Sequence, residues 1–138
     1  MIEVYTKNQT VLAGSALPLN NVALDKGCDC SLSGAATINL NKRGVYRIAV
    51  TADAVASTGG NIQLRLYKSG VAQPQAGTEV TAADTSSVHT MSFETLVQVA
   101  QDDSCCCCKS PVGIQIMNEG VGVTLNSLDV VVTRISKC

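Results

Sequence analysis

The sequence predicts an all-β fold, an antiparallel β-sandwich of jelly-roll type with little or no helix. Apolar and polar residues alternate with a period of two in stretch after stretch, which places alternate side chains on opposite faces of a sheet. No window sustains the i, i+3, i+4 apolar spacing that an amphipathic helix requires. Clusters of Gly, Asn, Asp and Ser divide the apolar stretches into about eight short strands, the spacing of a sandwich or jelly roll.

Taken in order, residues 2–5 form the first candidate strand and residues 11–19 a second, less regular one. Residues 1–25 therefore read as an N-terminal strand or arm packing on the sandwich or on a neighbour, with residues 26–138 as the jelly roll of one compact domain. Residues 36–40 are a short strand. In residues 44–55, Tyr46, Ile48, Val50, Ala52 and Ala54 share one face and Arg47, Thr51 and Asp53 the other. Ile62, Leu64 and Leu66 alternate with Gln63, Arg65 and Tyr67, and Lys68-Ser69-Gly70 then supplies turn chemistry. His89, Met91, Phe93, Thr95, Val97 and Val99 mark a long strand. Ile114 and Ile116, then Val123 and Leu125, then Leu128, Val130 and Val132 complete the set. Gly120-Val121-Gly122 lacks the lysine and helix of a phosphate loop and reads as a hairpin turn.

Composition limits the function. A chain of 138 residues buries a core without staples, so its cysteines serve some other end. Charged residues are only 15% and hydrophobic ones 46%, whereas about a quarter charged is usual for a soluble domain. Part of the surface is therefore expected to be covered, most simply by copies of the chain itself. The net charge of −1, with no basic run, excludes a nucleic-acid footprint. No apolar run approaches the roughly 20 residues that span a bilayer, and the first residues lack the basic and apolar regions of a signal peptide. Asn8-Gln9-Thr10 fits a glycosylation sequon, a short and common match.

Residues 38–50, Ile-Asn-Leu-Asn-Lys-Arg-Gly-Val-Tyr-Arg-Ile-Ala-Val, resemble the I-x-L-x-x-x-G-x-Y-x-I-x-V segment of tumour-necrosis-factor-like jelly rolls. That superfamily includes complement globular heads and bacterial exosporium heads. Leu66-Tyr67-Lys68-Ser69-Gly70 resembles its Y-x-N-G turn, with Ser69 in place of Asn, and residues 128–135 fit its closing strand. Gly44 also has a direct reading, since a residue without Cβ permits a tight start to the strand. Tyr46 would bury its ring and find a partner for its hydroxyl near an edge. A narrower resemblance, carried by Val71-Ala72-Gln73-Pro74-Gln75-Ala76 and the cysteine run, is to small proteins of Firmicutes phages and prophages that look like trimeric head-decoration or head-fibre components. The resemblance implies a homotrimer. It implies a virion protein on the outer capsid surface, made in the bacterial cytoplasm, with the phage major capsid protein as partner and host-surface glycans as further ligands. The rival is a bacterial surface or spore-coat adhesive head.

Seven cysteines are present, four of them consecutive at Cys105, Cys106, Cys107 and Cys108, with Cys28 and Cys30 flanking Asp29 and Cys138 at the end. Cys28, Cys30, Cys105 and Cys107 would supply four zinc ligands if their segments were neighbours, but the usual C-x₂₋₄-C spacing is missing. A disulfide from Cys28 or Cys30 to the run at Cys105, Cys106, Cys107 and Cys108 would close a long loop, worth about 3–5 kcal/mol in the entropy model. An odd count leaves Cys138 as the natural free or intersubunit thiol. Reduced cysteines acting as small hydrophobes are the third reading. No catalytic or cofactor-binding set is expected. His89 lies near Ser86, Ser87 and Asp84 without a nucleophile-elbow motif, and Asp102-Asp103 lacks calcium-ligand spacing.

Overall fold

The computed structural model describes residues 1–99 and 112–136. Among these residues lie ten strands and no helix: β1 (Ile2–Val11), β2 (Asn21–Asp25), β3 (Cys30–Ser33), β4 (Thr37–Leu40), β5 (Gly44–Ala56), β6 (Gly60–Lys68), β7 (Val71–Ala82), β8 (His89–Val99), β9 (Val112–Asn118) and β10 (Val123–Ser136). They form two five-stranded sheets, β2-β1-β10-β5-β8 and β3-β4-β9-β6-β7, every pairing antiparallel. The expected antiparallel β-sandwich of jelly-roll type is the observed fold.

The chain changes sheets repeatedly, so that its first long strand lies beside its last. β1 and β10 pair from Ile2↔Val132 to Val11↔Val123, and β2 covers the other edge of β1. Residues 2–25 thus contribute a strand and an edge strand to the first sheet. Residues 11–19 are read from sequence as a strand; Val11 instead closes β1, and residues 12–19 form an irregular strap that runs beside β9 with one antiparallel bridge, Ala16 to Met117. Gly14 turns it at φ +80°, and Leu17 and Leu19 then donate backbone hydrogen bonds to Ile116 and Ala35, each at 2.7 Å. Both leucines enter the core.

A parity switch written in the sequence has a structural cause. Val123 and Leu125 are buried at odd positions, Leu128, Val130 and Val132 at even ones. The register between β10 and β5 steps from Leu125↔Ala54 to Ser127↔Asp53, so Asn126 is an extra residue that resets the alternation. β1 switches in the same place: Ile2, Val4 and Thr6 are buried, then Val11, with Asn8 between at φ +56°. Asn tolerates this left-handed conformation better than most residues.

β7 was not legible as a strand. Its Gln73-Pro74-Gln75 segment breaks the alternation, because residues 73–76 oppose Leu66 alone between the pairs Arg65↔Gly77 and Tyr67↔Ala72. Arg65 Nη1 holds this bulge by donating to the carbonyls of Gln73 and Pro74, at 3.2 and 2.9 Å. The expected turn after β6 is present, with Ser69 and Gly70 at φ +51° and +81°, the paired positive values of a primed hairpin turn. Gly120-Val121-Gly122 is a turn but not a hairpin, since β9 and β10 lie in different sheets. A Cβ on Gly120 would come within 2.3 Å of the Asn61 carbonyl. The inward residues of both sheets, with Tyr46, Ile48, Leu64, Leu66, Ile116 and Leu125 among the fully buried ones, fill one core. Each buried Leu or Ile contributes about 1.5–3 kcal/mol relative to exposure.

Candidate functional site

Gly44 and Tyr46 build one rim of the sandwich as the sequence predicts. Gly44 has φ +146°, and a Cβ there would lie 2.1 Å from the Ser136 carbonyl oxygen, so only glycine fits between β5 and the end of β10. The Tyr46 ring is fully buried. Its hydroxyl donates to the Lys42 carbonyl at 2.7 Å, accepts the Lys42 N–H at 3.2 Å and lies 3.2 Å from the Asp29 carbonyl. Burial raises its pKa above the ordinary tyrosine value. Asp29 Oδ1 faces Arg134 Nη1 at 3.4 Å and Lys42 Nζ at 3.5 Å. One tyrosine and one aspartate therefore tie the β2–β3 loop, the β4–β5 loop and the last strand together.

The two cysteines at this rim have different surroundings. Cys30 opens β3 and is 4% exposed, opposite Leu40 in the register. Cys28 lies outside the strand and is exposed, so the alternation that would put both on one face does not reach it. Burial pushes the Cys30 thiol up to about 11, against a pull from the N-terminal ammonium. Such a thiol is a small hydrophobe and a poor nucleophile. Cys105, Cys106, Cys107, Cys108, Cys138 and the pair Asp102-Asp103 lie outside the described residues. Among the described residues, no group of three or more His, Cys, Asp or Glu side chains gathers at one point.

The outer face of the first sheet can be mapped row by row from the register. Glu3, Val131, Ala49 and Glu94 form one row across β1, β10, β5 and β8, with Leu24 of β2 at its end. Tyr5, Asp129, Thr51 and Ser92 form the next, then Lys7, Ser127, Asp53 and Thr90. Thr133, Arg47 and Leu96 lie on the far side of the first row. Small side chains thus occupy the middle, and taller ones (Leu24 and Tyr5 on one flank, Arg47 and Leu96 on the other) stand at the margins. The result is a shallow trough whose depression is lined by Arg47, Ala49, Val131 and Thr133. Leu96 is 56% exposed on its wall. Arg47 forks onto Glu94 at 2.7 and 2.9 Å, and Asp53 accepts from the Thr90 and Ser127 hydroxyls at 2.7 and 3.0 Å. Asp129 is half-buried with its pKa raised, first by burial and then by Glu3. The sequence reading missed this trough, although its signal was available: Ala49, Thr51, Ser127, Val131 and Thr133 stand at outward positions of β5 and β10, between the charged Arg47, Asp53 and Asp129.

The outer face of the second sheet has the opposite character. Arg65 Nε donates to Glu119, and the Tyr67 hydroxyl donates to the other oxygen of the same carboxylate at 2.6 Å. Asn61 donates to Glu79 at 2.7 Å and accepts from Thr81 at 3.0 Å, and Gln115 donates to Thr37 at 2.9 Å. Glu119 is held below the usual carboxylate range, first by Tyr67 and then by Arg65.

Asp84, Ser86 and Ser87, weighed from sequence beside His89, form a local turn. The Asp84 carboxylate accepts the Ser86 and Ser87 N–H groups at 3.1 and 2.9 Å and is held below its ordinary pKa by them. His89 faces the same side of β8 as buried Met91, its Nε2 buried and without a hydrogen-bond partner among the described residues.

Strand order and the two paired antiparallel sheets define a jelly-roll sandwich. No protein-family model matches the sequence, and no curated protein does. Solved structures do. PRD1 vertex protein P5 is 18% identical with a TM-score of 0.59, covering 97% of this chain and 95% of that one. Eiger TNF from S. frugiperda is 10% identical with a TM-score of 0.74, over 99% of this chain and 94% of that one. Rabbit GITRL is 10% identical with a TM-score of 0.59, over 100% and 97%. These likenesses establish the fold.

Proposed function

We propose that this chain is a non-enzymatic structural protein of a phage virion, a homotrimeric capsid decoration or head-fibre component. The observation that carries the reading is the fold shared with PRD1 vertex protein P5 over 97% of this chain and 95% of that one. The sequence resemblance to small Firmicutes phage head proteins points the same way. The low charge content and the trough of small residues on the first sheet support self-association, with copies meeting on that face. A trimer also removes the exposed edge of a sheet from solvent.

Function on this reading is mechanical. One end of the trimer docks on the major capsid protein, and three modest contacts acting together hold it there by avidity. The outward end is free to meet host-surface glycans. Light scattering after size exclusion tests the assembly, with three times the 14.3 kDa chain mass expected and a monomer overturning it. Docking is tested by co-sedimentation with capsid shells that lack the protein, where absence of binding overturns the decoration role.

A further inference from the structure

We infer that Asp129 tunes the association of copies of this chain to pH, so that the assembly tightens in mild acid and loosens towards neutrality. The inference rests on the trimer reading and goes beyond it, naming a group that regulates the shared face.

Asp129 sits near the centre of that face, between Tyr5 of β1 and Thr51 of β5. Among the described residues its carboxylate has neither hydrogen-bond donor nor ion-pair partner. The charged and titratable groups on the two flanking strands do not supply one. β1 presents Glu3, Tyr5 and Lys7, of which Glu3 acts on Asp129 as a like charge. On β5, Arg47 is taken by Glu94, and Asp53 by two hydroxyls. β10 itself places only Ser127, Val131 and Thr133 on this part of the face. The site therefore holds two carboxylates in adjacent rows, on a surface that a second copy would dry further. The nearest uncommitted cation is exposed Lys7, one row further on opposite Ser127 and, among the described residues, in no ion pair with either.

Covering a carboxylate without a counter-charge costs more than covering the neutral acid. Association then favours the protonated form, so closing the face takes up a proton. An acid whose pKa rises on association strengthens it as pH falls through the raised value and opposes it above. Each unit by which closure raises the pKa corresponds to about tenfold in the association constant.

The test is the dissociation constant measured by sedimentation velocity from pH 4.5 to 7.5, for the native chain and for Asp129→Asn. The native chain should dissociate at about tenfold or more higher concentration at pH 7.5 than at pH 5. Asp129→Asn should keep the tight, acidic value throughout, with unchanged circular dichroism. A native profile that is flat across this range overturns the inference while leaving the trimer standing. So does looser assembly of Asp129→Asn at pH 7.5, which would mean that the carboxylate accepts a donor from the neighbouring copy. Monomers at every pH would instead remove the trimer reading itself.

Discussion

The two outer faces of the sandwich are built on the same period-two alternation and finished in different ways. On the second sheet, long polar side chains bond laterally: Arg65 and Tyr67 converge on Glu119, and Asn61 links Glu79 with Thr81. That surface is satisfied within one chain and suits water. On the first sheet, Arg47, Ala49, Val131 and Thr133 line a trough, Leu96 stands exposed at its wall, and Glu3 and Asp129 have no hydrogen-bond or ion-pair partner among the described residues. The difference teaches that the two faces are set apart by side-chain size and lateral bonding and not by the number of charges. The first face carries charges too (Glu3, Lys7, Arg47, Asp53, Glu94 and Asp129), but they surround a floor of Ala49, Val131 and Thr133 that the proposed assembly would cover.

The hardest test of this contrast is a charge placed in the trough. Ala49→Arg should abolish association, because an unpaired buried charge costs several kcal/mol. Light scattering should then give the 14.3 kDa chain mass, while Gln63→Arg on the second face leaves the assembly intact. Equal behaviour of the two variants would erase the distinction between the faces.

A smaller effect concerns the rim, which both sheets share. Tyr46→Phe removes the hydroxyl from the Lys42 backbone and should lower folding stability by about 1–3 kcal/mol in chemical denaturation. The assembled mass should not change. Loss of the trimer at native stability would mean that the rim takes part in the interface.

The faces should also answer acid in opposite directions. Glu119, held low by Tyr67 and Arg65, contributes stability that is present above its unfolded pKa and lost as pH falls through its folded value. Asp129, held high, does the reverse. Glu119→Gln should therefore remove part of the acid sensitivity of unfolding, by less than about 1 kcal/mol for so exposed a network. An unchanged acid limb in the thermal melts would show that the network adds nothing.

Least disturbing to either face is thiol labelling. In the native protein an alkylating reagent should modify Cys28 at the rate of an exposed thiol and Cys30 only on unfolding, since Cys30 is buried and its thiol is raised to about 11. Equal rates would contradict the burial of Cys30. Alkylation of the unreduced, denatured chain also tests cross-linking, because seven adducts leave no disulfide in a chain with seven cysteines.

Much of the fold could be read from residues alone, because alternation is local. Tyr46, Ile48, Val50, Ala52 and Ala54 declare one face of β5 without knowledge of any partner, and the odd-to-even switch between Leu125 and Leu128 announces the extra residue at Asn126. Gly44 and Tyr46 likewise carried their roles in their chemistry. β7 did not, since Gln73-Pro74-Gln75 interrupts the pattern and only the Arg65 side chain, reaching from β6, holds that bulge in the sheet. Residues 12–19 read as part of a strand because Leu17 and Leu19 alternate like one, but a single bridge, Ala16 to Met117, joins them to β9 before the chain turns to Ala35.

By itself, then, the sequence determined the class of fold and which side of each strand faces the core, because burial repeats every second residue within a single strand. Tertiary structure alone decided which strands become neighbours. Pairing β1 with β10 and β10 with β5 puts Glu3, Asp129 and Ala49 from three remote segments on one surface. It also decided which outer face is closed by its own hydrogen bonds and which is left as a trough, since lateral contacts depend on register and register is set by long-range pairing.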